Sequence, residues 1–496
     1  MSTLLERAAG ALREADLARR HGFVSNLIGL IIEATGLQAE VGEVCLVGTD
    51  RHREPVAAEV VGFRDGRTLL MPLGELHGIG PGTRVLASGA PFRVAVGEEL
   101  LGRVIDGLGV PEDGRSLPDS ARAEQIERVA ASRIFARSTI ATPPDALSRP
   151  RISERVGLGV RALDGLVPCG RGQRLGIFAG SGVGKSSLLG MIARSSSASI
   201  NVIALVGERG REVREFVERD LGDALERSVV VVATSDQPAL VRIKAAFTAT
   251  TIAEFFRDQG HDVMLMMDSV TRFAMAQREV GLAIGEPPAT RGYTPSVFAL
   301  LPRLLERAGT SASGSITALY TVLVDGDDMN EPIADAVRSI LDGHVVLTRS
   351  LAHAGHYPAI DVLSSVSRLI GEIVPPELEQ AGQQLRSALA VLREKEDLVA
   401  IGAYQPGSDP ALDTALSHRA RIERFLRQPV HERSDPSATD ARLLALGASL
   451  ANELAQASGE IPDAEEVPSE PEAAAVIEAQ PAASGLPAIP ALGLSI

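Results

Sequence analysis

Tryptophan is absent from the 496 residues, and aromatic side chains make up only 3% of them. Aromatic stacking therefore cannot be the main way this chain holds a ligand. Net positive charge is absent too, since 49 Lys+Arg against 64 Asp+Glu leave −15. That balance argues against non-specific nucleic-acid binding. Part of the excess is local, with seven acidic residues and no basic one from Glu460 to Glu478. Cys45 and Cys169 are too few and too scattered for a disulfide framework or a zinc site. No run of 18 or more apolar residues occurs, so no segment is expected to span a membrane. The opening MSTLLERAAGALREADLARR has mixed charge and no signal-peptide core. A cytosolic protein fits these absences. Lysine is the last scarcity: only Lys185, Lys244 and Lys395 occur, and arginine carries the rest of the positive charge.

The chain is long enough for about three domains, and 45% apolar residues allow a large core. Residues 1–22 place Leu4, Leu5, Ala8, Ala11, Leu12 and Ala15 at helical spacing. That short amphipathic helix either caps its own domain or docks on a partner. Residues 23–93 hold short strand-like stretches (LIGLIIEAT, VGEVCLVG, VAAEVVGF, RTLLMPL, TRVLASG) between turns. A small β-barrel or sandwich is predicted there. In residues 94–371 the apolar runs RLGIFAG, NVIALVG, SVVVVAT, HDVMLMMD and SITALYTVLVD read as buried parallel strands. Helical stretches lie between them, so this region is an α/β domain with a mostly parallel sheet. Residues 372–458 read as helical. Residues 459–496, rich in Pro, Ala and Glu, offer too little apolar surface to fold.

One stretch carries the chemistry. Ala179, Gly180, Ser181, Gly182, Val183, Gly184, Lys185, Ser186 and Ser187 join a predicted strand to a predicted helix. That is the setting a phosphate-binding loop requires. Its glycines let backbone N–H groups converge on phosphate oxygens, and the helix N-terminus adds its dipole. Lys185 supplies a point charge for the β- and γ-phosphates, and Ser186 offers a hydroxyl to Mg²⁺. Ala179 stands where the motif usually has glycine, at the end of the strand. A chain that otherwise writes arginine writes lysine here, which points away from an arbitrary surface cation.

Asp268 ends an apolar strand, the position from which a carboxylate holds Mg²⁺ in such domains. Glu208 follows another strand end, where ligands of open sheets sit. It is placed to activate a water as a general base. It reads equally well as a helix N-terminal acid with salt-bridged neighbours, and spacing alone does not choose. Arg209 is positioned to neutralise phosphate charge, and Arg272 is either phosphate-facing or locally ion-paired. Arg368 follows a run of small residues that permits close approach between surfaces. An arginine given by a neighbouring subunit can stabilise transition-state charge there, with a local carboxylate partner as the plainer alternative. HAGH, His353 to His356, reads as structural.

The stretches LLGRVIDGLG, IFAGSGVGKSSLLGMIAR, LVGERGREVREF, MLMMDSVTRFAMAQREV, GEPPATRGYTPSVFALLPRLLERAG, VLVDGDDMNEPIADAVRSILDGH and GHYPAIDVLSSVSR resemble the type III protein-export ATPases. These are relatives of the rotary ATP synthase catalytic subunits. The resemblance covers roughly residues 20 to 455. It implies a β-barrel, a RecA-like nucleotide domain and a helical domain, with six subunits in a ring and ATP sites at the interfaces. It implies ATP and Mg²⁺ as ligands, Lys185 and Ser186 on the phosphates and metal, and Asp268 as the second metal residue. Glu208 becomes the water-activating residue, with Arg209 and Arg272 beside it. Tyr357 becomes the adenine-stacking tyrosine and Arg368 an arginine finger for the next subunit's site.

Because Glu208 and Arg368 lie on one chain, complete sites require cyclic self-association; with the six subunits the resemblance implies, the expected assembly is a homo-hexameric ring. Flagellar export is the expected setting, with a virulence injectisome as the alternative. A Rho-type RNA translocase fits poorly with the acidic, aromatic-poor barrel, and a catalytically silent ring subunit fits poorly with Glu208. Further implied partners are a stalk-like regulator on the N-terminal helix, an export gate, export chaperones and their substrates. The implied location is peripheral, at the cytoplasmic face of the inner membrane. The 459–496 tail has no counterpart in the resemblance.

Overall fold

The computed structural model describes residues 21–48, 55–114, 134–324 and 328–458. The tail and all but two residues of the expected N-terminal helix lie outside these. His21 and Gly22, the two exceptions, are strand and pair with Leu86 and Val85.

Six strands close a barrel in the order β1-β2-β5-β4-β3-β6. They are β1 (His21–Ile28), β2 (Ile31–Thr35), β3 (Glu43–Val47), β4 (Val56–Arg64), β5 (Arg67–Pro72) and β6 (Arg84–Pro91). The stretch LIGLIIEAT, one strand-like run in the sequence, turns at Gly29 (φ 58) and supplies two strands. Along β3 buried and half-buried residues alternate, as the period of two requires when one face meets a core. Val24, Ile32, Cys45, Val60, Leu70 and Val85 fill the interior. A closed barrel, rather than a sandwich, leaves no free sheet edge.

Beyond the barrel, β7 (Arg93–Gly97) pairs with β9 (Ile134–Ser138), and β10 (Arg155–Val156) with β11 (Cys169–Gly170). The nine-stranded central sheet runs β19-β18-β12-β17-β15-β13-β14-β8, with β16 (Gly309–Thr310) attached to β17. Its members are β8 (Arg103–Asp106), β12 (Arg174–Ala179), β13 (Ile200–Val206), β14 (Ser228–Ala233) and β15 (Asp262–Asp268), then β17 (Ser315–Leu323), β18 (Gly343–Leu347) and β19 (Ile360–Ser367). All five predicted core strands are here and parallel to one another. They read as continuous apolar runs because both faces are covered. Along β13, Val202, Ala204 and Val206 face helices Ala239–Asp258 and Val270–Ile284, while Ile203 and Leu205 face helix Lys185–Ser195.

Four strands of this sheet, β8, β16, β18 and β19, escaped sequence reading. RVID (β8) is only four residues long, and IDVLSSVS (β19) is broken by small polar residues; β19 is antiparallel to β18. The stretch REVREFVERDL after β13 is α-helical over Gly210–Glu215 and π-helical over Phe216–Leu221.

The last region is helical, with helices Pro376–Glu394, Glu396–Ala400, Pro410–Leu426 and Pro436–Ser458. Asp409 starts the third by accepting the Ala411 and Leu412 amides at 3.0 and 3.2 Å, with proline at the first turn. Buried Arg161 ties this region to the sheet by donating to the Phe425 carbonyl at 3.0 Å and the Arg427 carbonyl at 2.5 Å. The two lysines outside the phosphate-loop motif are also pins: Lys244 pairs with Glu59 of the barrel and Lys395 with Asp409. No helix among the described residues is long and apolar enough to cross a membrane.

Candidate active site

The parallel strands point their carboxyl ends at one edge, and the candidate residues gather there because neighbouring strands end together. Ala179 closes β12, in register with Leu323 of β17 and Leu347 of β18. Gly180 to Gly184 then turn the chain, with Gly182 at φ 79 and Gly184 at φ 88, values at which a side chain would be strained. Val183 is buried and anchors the loop, whereas Ser181 and Ser186 are exposed and Ser187 is half-buried. Gly184 begins helix Lys185–Ser195, and no side chain caps it. The free amides of the first turn are thus left for an anion.

The Lys185 ammonium donates to Asp268 Oδ1 at 2.5 Å and stands 3.6 Å from Glu208 Oε1. Asp268 ends β15 and also accepts a 2.7 Å hydrogen bond from Thr321 Oγ1 on β17. Thr321 was not foreseen; a threonine near the carboxyl end of an almost fully buried strand was the available signal. Glu208 follows β13 through Gly207, at φ 74. Arg272 Nε lies 3.4 Å from Glu208 Oε1. Burial, and then the Asp268 charge, push the Glu208 carboxyl up to about 7, against the pull of Lys185 and Arg272. Glu208 Oε1 and Arg272 Nε are both buried without a hydrogen bond. The two face each other as an ion pair, at a separation longer than a good hydrogen bond.

Tyr357 is 45% exposed, and a Cβ added to Gly184 would sit 3.7 Å from its ring. The tyrosine therefore lies against the end of the phosphate loop. Its carbonyl accepts from the Gln428 amide at 3.0 Å, a link to the helical region that local sequence could not reveal. Two expected residues do not join the cluster within this protomer. The Arg209 side chain is 74% exposed and lies 3.6 Å from Glu212. Arg368 is exposed at the far edge of the sheet, where its guanidinium donates to the Arg338 carbonyl at 3.1 Å. His356 is buried, and burial lowers its pKa, with Arg427 adding to the effect.

The donor set suits a nucleoside triphosphate with Mg²⁺. An uncapped helix start and Lys185 meet phosphate, and the Ser186 hydroxyl and Asp268 carboxylate are the hard oxygens that ion takes. Fold and site together define a nucleotide-hydrolysing P-loop domain set between a β-barrel and a helical domain.

Residues 24–89 match the β-barrel domain of the ATP synthase alpha/beta family, and residues 159–367 match its nucleotide-binding domain. Residues 374–445 match the T3SS EscN ATPase C-terminal domain. The "Flagellum-specific ATP synthase" of Bacillus subtilis (strain 168) is 52% identical over 440 residues, 88% of this chain and 97% of the relative. The "Type 3 secretion system ATPase" of Xanthomonas euvesicatoria is 50% identical over 438 residues, 88% and 95% of the two chains. The assembled ATPase EscN from the enteropathogenic E. coli type III secretion system superposes with a TM-score of 0.79 at 47% identity. That likeness covers 86% of this chain and all of EscN. EscN in complex with its central stalk EscO gives 0.78 at 46%, with the same coverage. This chain belongs to the type III protein-export ATPases of the ATP synthase alpha/beta family. It is an ATP-binding ATPase.

Proposed function

We propose that the chain hydrolyses ATP with Mg²⁺ in a homo-hexameric ring, and that this energises flagellar type III protein export and flagellum assembly. The observation that carries the reading is the convergence of Lys185, Asp268 and Glu208 on three strand ends, with Arg272 beside Glu208.

In this reading the loop amides and Lys185 bind the phosphates, and Ser186 and Asp268 hold Mg²⁺. When bound, the ion neutralises charge on the β- and γ-phosphates. Glu208 orients a water and takes its proton, and its raised pKa matches that task near neutral pH. Arg272 fixes the Glu208 carboxylate from its other side, while Arg209 turns to the phosphates from the helix start it occupies. Tyr357 flanks the adenine. Arg368 belongs to the neighbouring protomer's site, which its position at the opposite sheet edge supports.

The ring is placed at the cytoplasmic face of the inner membrane, with a stalk-like protein on the N-terminal helix. Export gate, chaperones and substrates are its further partners. The likeness to EscN and to the Xanthomonas relative keeps a virulence secretion system as the second reading. The test is a Lys185→Ala strain, assayed for motility and flagellin secretion beside ATPase activity of the purified protein. Loss of all three supports the flagellar reading. Normal motility with loss of another secreted cargo would move the protein to the second.

A further inference from the structure

Between the sheet and the helical region lies a cavity of about 440 Å³. One wall is β19, and another is the end of helix Pro376–Glu394, which contributes Leu389, Leu392 and Arg393; Leu426 of helix Pro410–Leu426 also lines it. One ion pair spans the two walls. Arg393 of the helix donates to Asp361 Oδ1 on β19 at 2.7 Å.

Asp361 does more than pair. Its Oδ1 also accepts the Leu363 and Ser364 amides at 3.0 and 3.2 Å, and its Oδ2 accepts the Ser364 hydroxyl at 2.8 Å. Its own carbonyl accepts from Ser365 Oγ at 2.6 Å, and Ser365 Oγ in turn accepts the Val346 amide of β18 at 2.9 Å. The register between β18 and β19 shifts at this place, between His344 and Val346. The Asp361 carboxylate thus organises an irregularity in the strand, and such features redirect the remainder of a strand. Burial, the largest influence, pushes its pKa up. Hydrogen bonds from Arg393 and Ser364 outweigh it and hold the carboxyl below its usual range. Without Arg393 a buried carboxylate would lose its only cationic hydrogen-bond donor among the described residues, which is costly. Arg386 adds a second tie, donating to the Ser365 carbonyl at 3.1 Å.

The strand shaped in this way carries Tyr357 just before one end and Arg368 just after the other. We propose that Arg393 is a positioning residue: through Asp361 it sets, from the helical domain, the geometry of the strand that places Tyr357 and Arg368. This rests on the roles given to those two residues above. One ion pair then links the helical domain to the protomer's own nucleotide and to its neighbour's.

The chain has no tryptophan, so Tyr357→Trp supplies a single fluorescent reporter of ATP binding in the full-length protein. In that background Arg393→Gln should weaken ATP binding about five- to tenfold, and Arg393→Lys should restore most of it. Turnover of the assembled protein should fall as well, read in the Tyr357-containing chain. A residue that only stabilised the fold would lower the melting temperature and leave the binding midpoint of the folded protein unchanged. An unchanged midpoint and turnover in Arg393→Gln, while Lys185→Ala still abolishes hydrolysis, overturns the inference alone. Hydrolysis that survives Lys185→Ala overturns the functional reading and the inference with it.

Discussion

Tyr357 and Arg368 flank a single strand and therefore stand at opposite edges of the central sheet. Ile360, at the start of β19, pairs with Leu347, which is itself beside Ala179 at the phosphate-loop edge. Ser367, at the end, pairs with Gly343 at the other edge, and the Arg368 amide donates to the Asp342 carbonyl there at 3.1 Å. Eight residues of strand separate the two by roughly 20–25 Å. Arg368 cannot serve the loop that Tyr357 touches.

That distance invites a mixing experiment. Arg368→Ala protein and Glu208→Gln protein should each bind ATP and hydrolyse it poorly. Mixed in equal amounts and assembled, they should regain about a quarter of the wild-type rate, because a quarter of the interfaces combine an intact Glu208 with an intact Arg368. A mixture no faster than its components would remove Arg368 from the neighbour's site.

Glu208→Gln on its own keeps size and polarity and removes the base. ATP binding should be retained while kcat falls by about 10²–10⁴. Equilibrium nucleotide binding and single-turnover hydrolysis separate the two effects. Turnover within a factor of a few of wild type would sink the general-base role.

The pH dependence has a definite sign. Glu208 must be ionised to accept a proton, so kcat/KM should rise with pH through about 7. Glu208→Gln should lose this limb. Stability moves the other way. A carboxyl whose folded pKa lies above its unfolded value costs the folded state stability as pH climbs from the unfolded pKa to the folded one. The nucleotide-free Glu208→Gln protein should therefore melt higher than wild type at pH 8 and close to it at pH 4. Thermal scans at the two pH values check this.

Gly207 is predicted to be irreplaceable. An added Cβ would stand 2.8 Å from Arg272 Cδ, at a backbone φ of 74 that side chains resist. Gly207→Ala should cost about 1–3 kcal/mol of stability and displace Arg272 from Glu208. The expected signature is a lower denaturant midpoint together with reduced kcat; unaltered kcat would mean that Arg272 does not act through Glu208.

A buried pair offers a control remote from the phosphates. Arg307, buried in the core, donates to both carboxylate oxygens of buried Glu254, at 2.8 and 2.6 Å. Glu254→Ala leaves the guanidinium without its counter-charge and should destabilise by about 3–5 kcal/mol. Urea unfolding reads the loss, and the ATP affinity of the folded fraction should be unchanged.

Local features were legible in the amino-acid order alone. The phosphate loop is contiguous, and its conformation comes from glycines within a few residues of Lys185. The strands beneath it are apolar runs whose ends carry Glu208 and Asp268 in plain view. Arrangement across the sheet belonged to the tertiary structure, because strand order and register are set by contacts between residues distant in the chain. Only the register of β15 against β17 brings Thr321 to Asp268, 53 positions away. Only the order of the strands puts Glu208, at the end of β13, within 3.6 Å of Lys185 and 3.4 Å of Arg272, residues that follow other strands. β19 was hidden because small polar residues mask its strand period. Its antiparallel course sends Tyr357 to the phosphate-loop end of the sheet and Arg368 to the opposite end, and no property of either residue alone could announce that.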